Sequence, residues 1–327
     1  MKHFIANFIA MFFVSKKARH NIRKKIMGRQ NKTSDEKSNE NCKNLEQQNY
    51  QNLKSEWLSH NNGQILLPGR FIEYDLILGI GSTCNVTEML RYFGHRRFSS
   101  PFDWTAGMEP SNWYSQPNIH RDTRFHEKIQ AICDNFKDWT KPEYFKYVNA
   151  WEAPNTPHHH VVNTKTRIRY IHEFPTDQGI LQYFPEFIEK TNRRIDNLFK
   201  AIQASQKILI VWMTRVGDQR SILEKNVPDV DIKWAIKQTQ KLYPHKIFDF
   251  IFFEPDETKK RFEYDKIEVA PGAYRIKSNH FLLNPEYNFI AQSTESRPHI
   301  HVISEMLDNI HLSEKAFALP PNYKDDD

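Results

Sequence analysis

The chain has 327 residues, 39% of them hydrophobic and 13% aromatic, with a mean hydropathy of −0.72; this suits one large or two small domains and excludes a collagen, a multispan membrane protein and a disulfide scaffold. Lysines and arginines number 46 against 40 aspartates and glutamates, a formal charge of +6 that on its face points to nucleic acid or another anionic surface. The excess sits at one end: residues 1–30 carry eight cations and no carboxylate, which leaves 38 cations against 40 anions, a net −2, on the rest.

In chain order, the first element is an apolar run of 11 residues, Phe4 to Val14, followed at once by SKKARHNIRKK. As a helix, a run of that length rises only about 16 Å, too short for the roughly 30 Å hydrocarbon core of a bilayer. Its basic flank follows the apolar segment, the reverse of a secretory signal. Residues 1–27 therefore read as an amphipathic interfacial helix whose aromatic face enters the headgroup boundary while its cations meet anionic lipid. By the positive-inside rule this places the protein on the cytoplasmic face of the membrane. A nearly neutral body offers no general polyanion-binding surface, so nucleic acid is not expected as a partner. The leader also resembles those of some bacterial glycosyltransferases and related enzymes of surface-polysaccharide assembly.

Residues 28–63 are dominated by Asn, Gln, Lys, Glu and Ser and read as a flexible polar tether, with a short helix around Leu53, Trp57 and Leu58. An α/β body is expected over residues 64–318. Tyr74 to Ile80 reads as a buried strand, Gly81-Ser82-Thr83 as a tight turn and Asn85 to Phe93 as a helix. Helical spacing of apolar residues recurs at Phe125, Ile129, Ile132 and Phe136, at Ile188, Ile195, Leu198, Phe199 and Ile202, and at Ile232, Ala235, Ile236 and Leu242. Lys207 to Thr214 and Phe248 to Glu254 are short continuous apolar runs, as in strands covered on both faces. Alternation of strand and helix predicts a mostly parallel sheet with helices on both faces. His158, His159 and His160 follow Pro157 and read as an exposed loop. Residues 319–327 read as a disordered tail.

The most informative stretch is DLILGIGSTCNVTEMLRYFGHRRFSSPFDW, Asp75 to Trp104. Cys84 falls where a strand gives way to a helix, where unpaired N–H groups and the helix dipole favour an anion and lower a thiol pKa. Carboxyl ends of strands are also where ligands bind in open α/β sheets. Cys84 is thus a candidate nucleophile, with a small packed thiol as the competing reading. The glycines Gly79 and Gly81 do not complete a dinucleotide fingerprint, because Cys84 takes the place of the third glycine; no cofactor is expected. The three cysteines, Cys42, Cys84 and Cys133, lack CxxC spacing and fit a reducing cytosol, and the pair His299 and His301 has no accompanying carboxylate motif, so no metal is expected.

A cysteine nucleophile needs a base, and of the 15 histidines His172 is placed best. Arg167 to Ile171 alternates as a strand that delivers His172-Glu173-Phe174 at its end, with Pro175 and Gly179 stopping the sheet. LGIGSTCNVTEMLRYFGHRRFSSPFDW together with YIHEFP resembles an uncharacterised bacterial family of papain-like cysteine peptidases, in which a Cys opens a helix, Arg and Ser precede Pro-Phe-Asp-Trp, and a His-acid-Phe triplet follows. Cys84, Arg97, Ser99, Pro101 to Trp104 and His172 to Phe174 occupy those places. The resemblance spans roughly residues 72–255 and implies Cys84 as nucleophile and His172 as base; to these we add Asp103 as the orienting or charge-stabilising acid. Backbone N–H groups at Gly81 and Ser82 would serve as oxyanion donors, with Arg97, Trp104 and Glu173 at the substrate. The chain lacks the Cys-Trp signature of papain itself, and its strand-then-helix entry is that of a doubly wound sheet.

Three functions follow as expectations. The first is thiol-dependent acyl transfer, as a peptidase, hydrolase or acyl transferase, on a small-molecule, peptide or glycan substrate. The second is a glycosyltransferase-like transferase of surface-polysaccharide assembly in which Cys84 only packs. The third is a non-catalytic, membrane-tethered binding module.

Overall fold

The computed structural model describes residues 69–81, 86–87, 90, 94–107, 124–147, 158–214, 226–256, 258–259, 263–278 and 310–318, with Ser55 and Ser59. The predicted interfacial helix, most of the tether, Ser82, Cys84, the His299/His301 pair and the C-terminal tail lie outside the described residues, although Ser55 and Ser59 are helical and exposed. In chain order the elements are β1 (Glu73–Tyr74), β2 (Leu76–Gly79), β3 (Thr105–Gly107), α1 (Phe125–Cys133), a 3₁₀ turn (Pro142–Tyr144), β4 (Phe145–Tyr147), β5 (His158–Asn163), β6 (Ile168–Pro175), α2 (Ile180–Ala204), β7 (Lys207–Met213), α3 (Asp229–Leu242), β8 (Ile247–Pro255), β9 (Tyr264–Ala270), β10 (Ala273–Ser278), β11 (His311–Leu312) and α4 (Glu314–Ala318). Among the described residues no helix is long and apolar enough to cross a membrane.

The chain is an α/β fold whose sheets are partly parallel. A five-stranded sheet has the order β2-β7-β8-β10-β9, with β2, β7, β8 and β10 parallel to one another and β9 antiparallel to β10 at the edge. Its central strands are the continuous apolar runs of the sequence, and both of their faces are buried. Ile208, Ile210 and Trp212 of β7, with Phe248, Phe250 and Phe252 of β8, join residues of α1, α2 and α3 in one core. Leu209, Val211 and Met213, with Ile251 and Phe253, join Val86, Leu90 and Ile310 in a second core. A strand covered on both sides cannot alternate apolar with polar residues, which is why these segments read as unbroken hydrophobic runs.

A second sheet, β3-β6-β5-β4, is wholly antiparallel and was not expected from the alternation of strand and helix. It corrects two sequence readings. His158, His159 and His160 are strand residues of β5, partly buried, because pairing with β6 overrides the loop signal of Pro157 and the polar run. His172 lies inside β6, which continues to Pro175, and Gly179 stands immediately before α2. The first turn of α2 is held by Tyr147 at the end of β4, whose hydroxyl accepts the Ile180 N–H at 3.0 Å. Helix α2 thus runs beside the strand that carries His172.

Candidate functional site

Gly79 and Gly81 are required by close packing. A Cβ on Gly79 would stand 2.5 Å from Val86 Cγ1 and 3.0 Å from Leu90 Cδ1, and one on Gly81 would stand 2.5 Å from Val86 Cγ2. The helical residues after the turn therefore lie directly on the end of β2. The Gly81 carbonyl accepts the Nζ of Lys128, a fully buried α1 residue, at 2.5 Å, which pins the entrance to the turn three residues before Cys84.

The segment Ser99-Ser100-Pro101-Phe102-Asp103-Trp104 is built around the Asp103 carboxylate, 3% exposed. Its Oδ1 accepts Thr87 Oγ1 at 2.9 Å and Ser100 Oγ at 3.1 Å. Its Oδ2 accepts Arg96 Nε at 3.0 Å, Arg96 Nη2 at 2.7 Å and the Ser100 N–H at 2.9 Å. Phe102 is buried against Phe136 and Trp139, and Thr105 Oγ1 donates to the Phe102 carbonyl at 2.6 Å. With both neighbours anchored, Trp104 adopts φ 62°, the left-handed region that bulky residues enter only when the surrounding structure enforces it. The result is that the indole meets the His172 ring edge-on, 5.5 Å between centroids.

His172 owes its position to a bulge. Tyr170 pairs with Val161 and Phe174 with His159, so Ile171, His172 and Glu173 face His160 alone. A bulge re-aims the side chains of its strand and breaks their strict alternation. His172 is accordingly exposed although it stands two residues from Tyr170 and two from Phe174, both in the core. On its other side the His172 ring contacts His158 edge-on at 5.9 Å. Glu173, the next residue, is 3% exposed and paired with Arg194 and, at 2.8 Å, with Lys190, both of α2.

These groups surround a cavity of about 670 Å³ whose lining includes Trp104, His158, His172, Glu173, Tyr183 and Lys190, a volume within the range of small-ligand sites. Three of the residues expected at the site, Trp104, His172 and Glu173, are thus brought together. Gly81, Arg97 and Asp103 stand apart, around the strand end and the SSPFDW turn; Arg97 and Asp103 border a void of about 10 Å³, and Ser82 and Cys84 lie outside the described residues. The two groups are joined in sequence and in contact, since Thr87 bonds Asp103 and the next residue, Trp104, touches His172.

Burial lowers the His158 pKa below its ordinary value, partly offset by the charge of Glu173. His160 is pushed down to about 4 by burial, by Arg169 and by the neighbouring rings His172 and His158. Burial pushes the Glu173 carboxyl up, but Arg194 and Lys190 outweigh it and hold the carboxyl below its usual range. Cys133 is half-buried and its thiol is pushed up to about 11 by burial and by Asp134, which makes it a poor nucleophile. Among the described residues no group of three or more His, Cys, Asp or Glu side chains is arranged to hold a metal ion.

Sequence reasoning missed the wall supplied by α2. Tyr183, Glu186, Lys190 and Arg193 recur at spacings of three and four, the signature of one helix face, but only the tertiary fold reveals that this face looks at β6.

No family model matches the sequence, and no solved structure matches it. Among curated proteins, the chain is similar to an uncharacterized protein, R408, of Acanthamoeba polyphaga mimivirus, at 22% identity over 151 residues that cover 42% of this chain and 60% of that protein. The chain therefore spans less than two thirds of the relative it matches.

Proposed function

We propose that this chain is a thiol-dependent enzyme, a cysteine hydrolase of peptidase type or an acyl transferase, with Cys84 as nucleophile and His172 as general base. In the reaction the Cys84 thiol gives its proton to the His172 ring while the sulfur adds to a substrate carbonyl carbon. Backbone N–H groups at Gly81 and Ser82 would meet the oxyanion. Collapse breaks the bond to the leaving group, which takes the proton from His172, and water or a second acceptor then releases the acyl group from sulfur.

The observation that carries this reading is the contact path Thr87–Asp103–Trp104–His172. It ties the helical residues just after Cys84 to the ring proposed as its base, beside a cavity large enough for a substrate. Asp103 acts here through the turn it organises, Trp104 and Glu173 at the substrate, and Arg97 from the side of the turn. The architecture proposed with it sets the mostly parallel five-stranded sheet, with helices on both faces, beside the antiparallel sheet, preceded by an amphipathic helix and tether. That leader would hold the enzyme on an anionic membrane at its cytoplasmic face.

Alkylation tests the assignment without a known substrate. With limiting iodoacetamide near neutral pH, Cys84 is expected to label well before Cys42 or Cys133, and His172→Ala is expected to slow Cys84 labelling at least tenfold. Equal labelling of the three thiols, or an unchanged rate in His172→Ala, would refute the pair.

The charged α2 wall of the cavity, with Glu186, Lys190 and Arg193, supports one second reading, a glycosyltransferase-like transferase of surface-polysaccharide assembly in which Cys84 is structural. Stabilisation by a nucleotide sugar that survives Cys84→Ser would favour it over the thiol mechanism.

A further inference from the structure

We infer that Glu173, rather than Asp103, is the charge-stabilising carboxylate of the site, a positioning residue whose buried negative charge favours the proton taken up by the His158–His172 pair. The inference rests on the reading of His172 as base. An ionised carboxylate offers about four lone-pair sites, and Asp103 already accepts five hydrogen bonds, two on Oδ1 and three on Oδ2, from Thr87, Arg96 and Ser100. Its capacity is spent on holding the turn.

Glu173 differs on each count. It lines the same cavity as both rings, and the bulge puts it next to His172 without sending it to the far side of the sheet. Its Oε1 accepts Arg194 Nη1 and its Oε2 lies 2.8 Å from Lys190 Nζ, two partners against the five hydrogen bonds on Asp103. Arg194 and Lys190 keep it ionised at a depth where an unpaired acid would take up a proton. Its field already reaches the His158 ring, where it opposes the lowering of the pKa by burial.

The charged and titratable groups around the two rings come from three elements: His160 of β5, Glu173 of β6 with Arg169, which acts on His160, and Tyr183, Glu186, Glu189, Lys190, Arg193 and Arg194 of α2. Because His160 is held neutral partly by the charge of the other two rings, the cluster favours a single proton. Placing that proton within reach of Glu173 keeps it on the His158–His172 side.

The test is a histidine C2–H NMR titration of the full chain, with His158→Gln and His172→Gln to assign the signals. Glu173→Gln is expected to lower the pair's apparent pKa by about one unit, and Lys190→Gln to raise it by a similar amount, as loss of an opposite or a like charge at close range dictates. Asp103→Asn is expected to leave both rings in place while lowering the melting temperature. Opposite displacements by two variants that both break the Glu173–Lys190 ion pair cannot come from a shared loss of packing. Rings that do not move in Glu173→Gln and Lys190→Gln, or that move more in Asp103→Asn, would overturn the inference. Should Glu173→Gln fail to fold, Lys190→Gln and the charge-conserving Glu173→Asp, expected to keep the wild-type titration, decide the matter. Cys84 alkylation against pH is followed in parallel. If the rings respond but Cys84 reactivity is indifferent to His172, the nucleophile assignment fails while the electrostatic role of Glu173 stands.

Discussion

Glu254, at the end of β8, and His160, in β5, load the fold with opposite pH dependences. Burial pushes the Glu254 carboxyl up to about 7, against the pull of Arg275 and Lys277, and the side chain is fully closed off from water. The unfolded chain releases that proton near 4.5, so the stability Glu254 contributes is complete below about 4.5 and is lost as pH rises through about 7. For His160 the folded value lies near 4 and the ordinary one at 6.5, so the unfolded chain protonates first and stability is lost as pH falls from 6.5 towards 4. Glu254→Gln removes the first dependence only. Its melting temperature relative to wild type is expected to rise from pH 5 to about pH 7 and then level off towards pH 8, whatever constant offset follows from leaving Arg275 with Asp229 and the Val227 carbonyl. A difference that stays flat across that range would show Arg275 holding Glu254 ionised throughout.

At the scale of elements, the strand–turn–helix unit after β2 stands on two glycines, and the sequence made that legible. Gly79→Ala would drive its Cβ into Val86 and Leu90, and overpacking of this kind costs about 1–3 kcal/mol. Gly179, ahead of α2 at φ −71°, has nothing within 4 Å of its Cβ position. Gly179→Ala is therefore expected to be neutral or slightly stabilising, because it only restricts the unfolded chain. Urea unfolding of the two variants checks the contrast, and equal midpoints would show that the segment after Gly81 yields without cost. The segment preceding Cys84 is pinned by the same packing, so Gly79→Ala should also slow Cys84 alkylation.

The same scale shows where reading stopped. β7, β8, α2 and α3 were legible because burial on both faces, or on one helical stripe, leaves a periodic trace in the chain. In the antiparallel sheet only β6 left one, the alternation of Arg167 to Ile171: β3 and β4 have three residues each, and β5 opens with three histidines. β3 and β5 are held by pairing with β6, and β4 by pairing with β5, partnerships that short strands do not announce in their own residues. His172 and Glu173 can be picked out in the chain as a His-acid pair on a strand, but the bulge that turns them to one cavity, and the left-handed backbone that brings Trp104 to them, are tertiary facts.

Over the whole molecule, the ends of the described body close on each other. β1 pairs in parallel with β11, and Asp75, between β1 and β2, accepts Ser313 Oγ at 2.6 Å and the N–H groups of Gln206 and Lys207. The +8 of residues 1–30 against the −2 of the remainder is a charge asymmetry with its own consequence. Near an anionic bilayer each Lys or Arg contributes about 1 kcal/mol. Replacing Lys16, Lys17, Arg23, Lys24 and Lys25 by Gln is therefore expected to weaken binding to phosphatidylserine-containing vesicles by two orders of magnitude or more. Removal of residues 2–27 should abolish it, and neither change should move the melting temperature. Binding should also weaken as salt is raised, since the screening length falls to about 10 Å at 0.1 M. Cosedimentation with vesicles measures each of these, and binding that survives both neutralisation and deletion would mean that the body, nearly neutral as it is, carries the membrane contact.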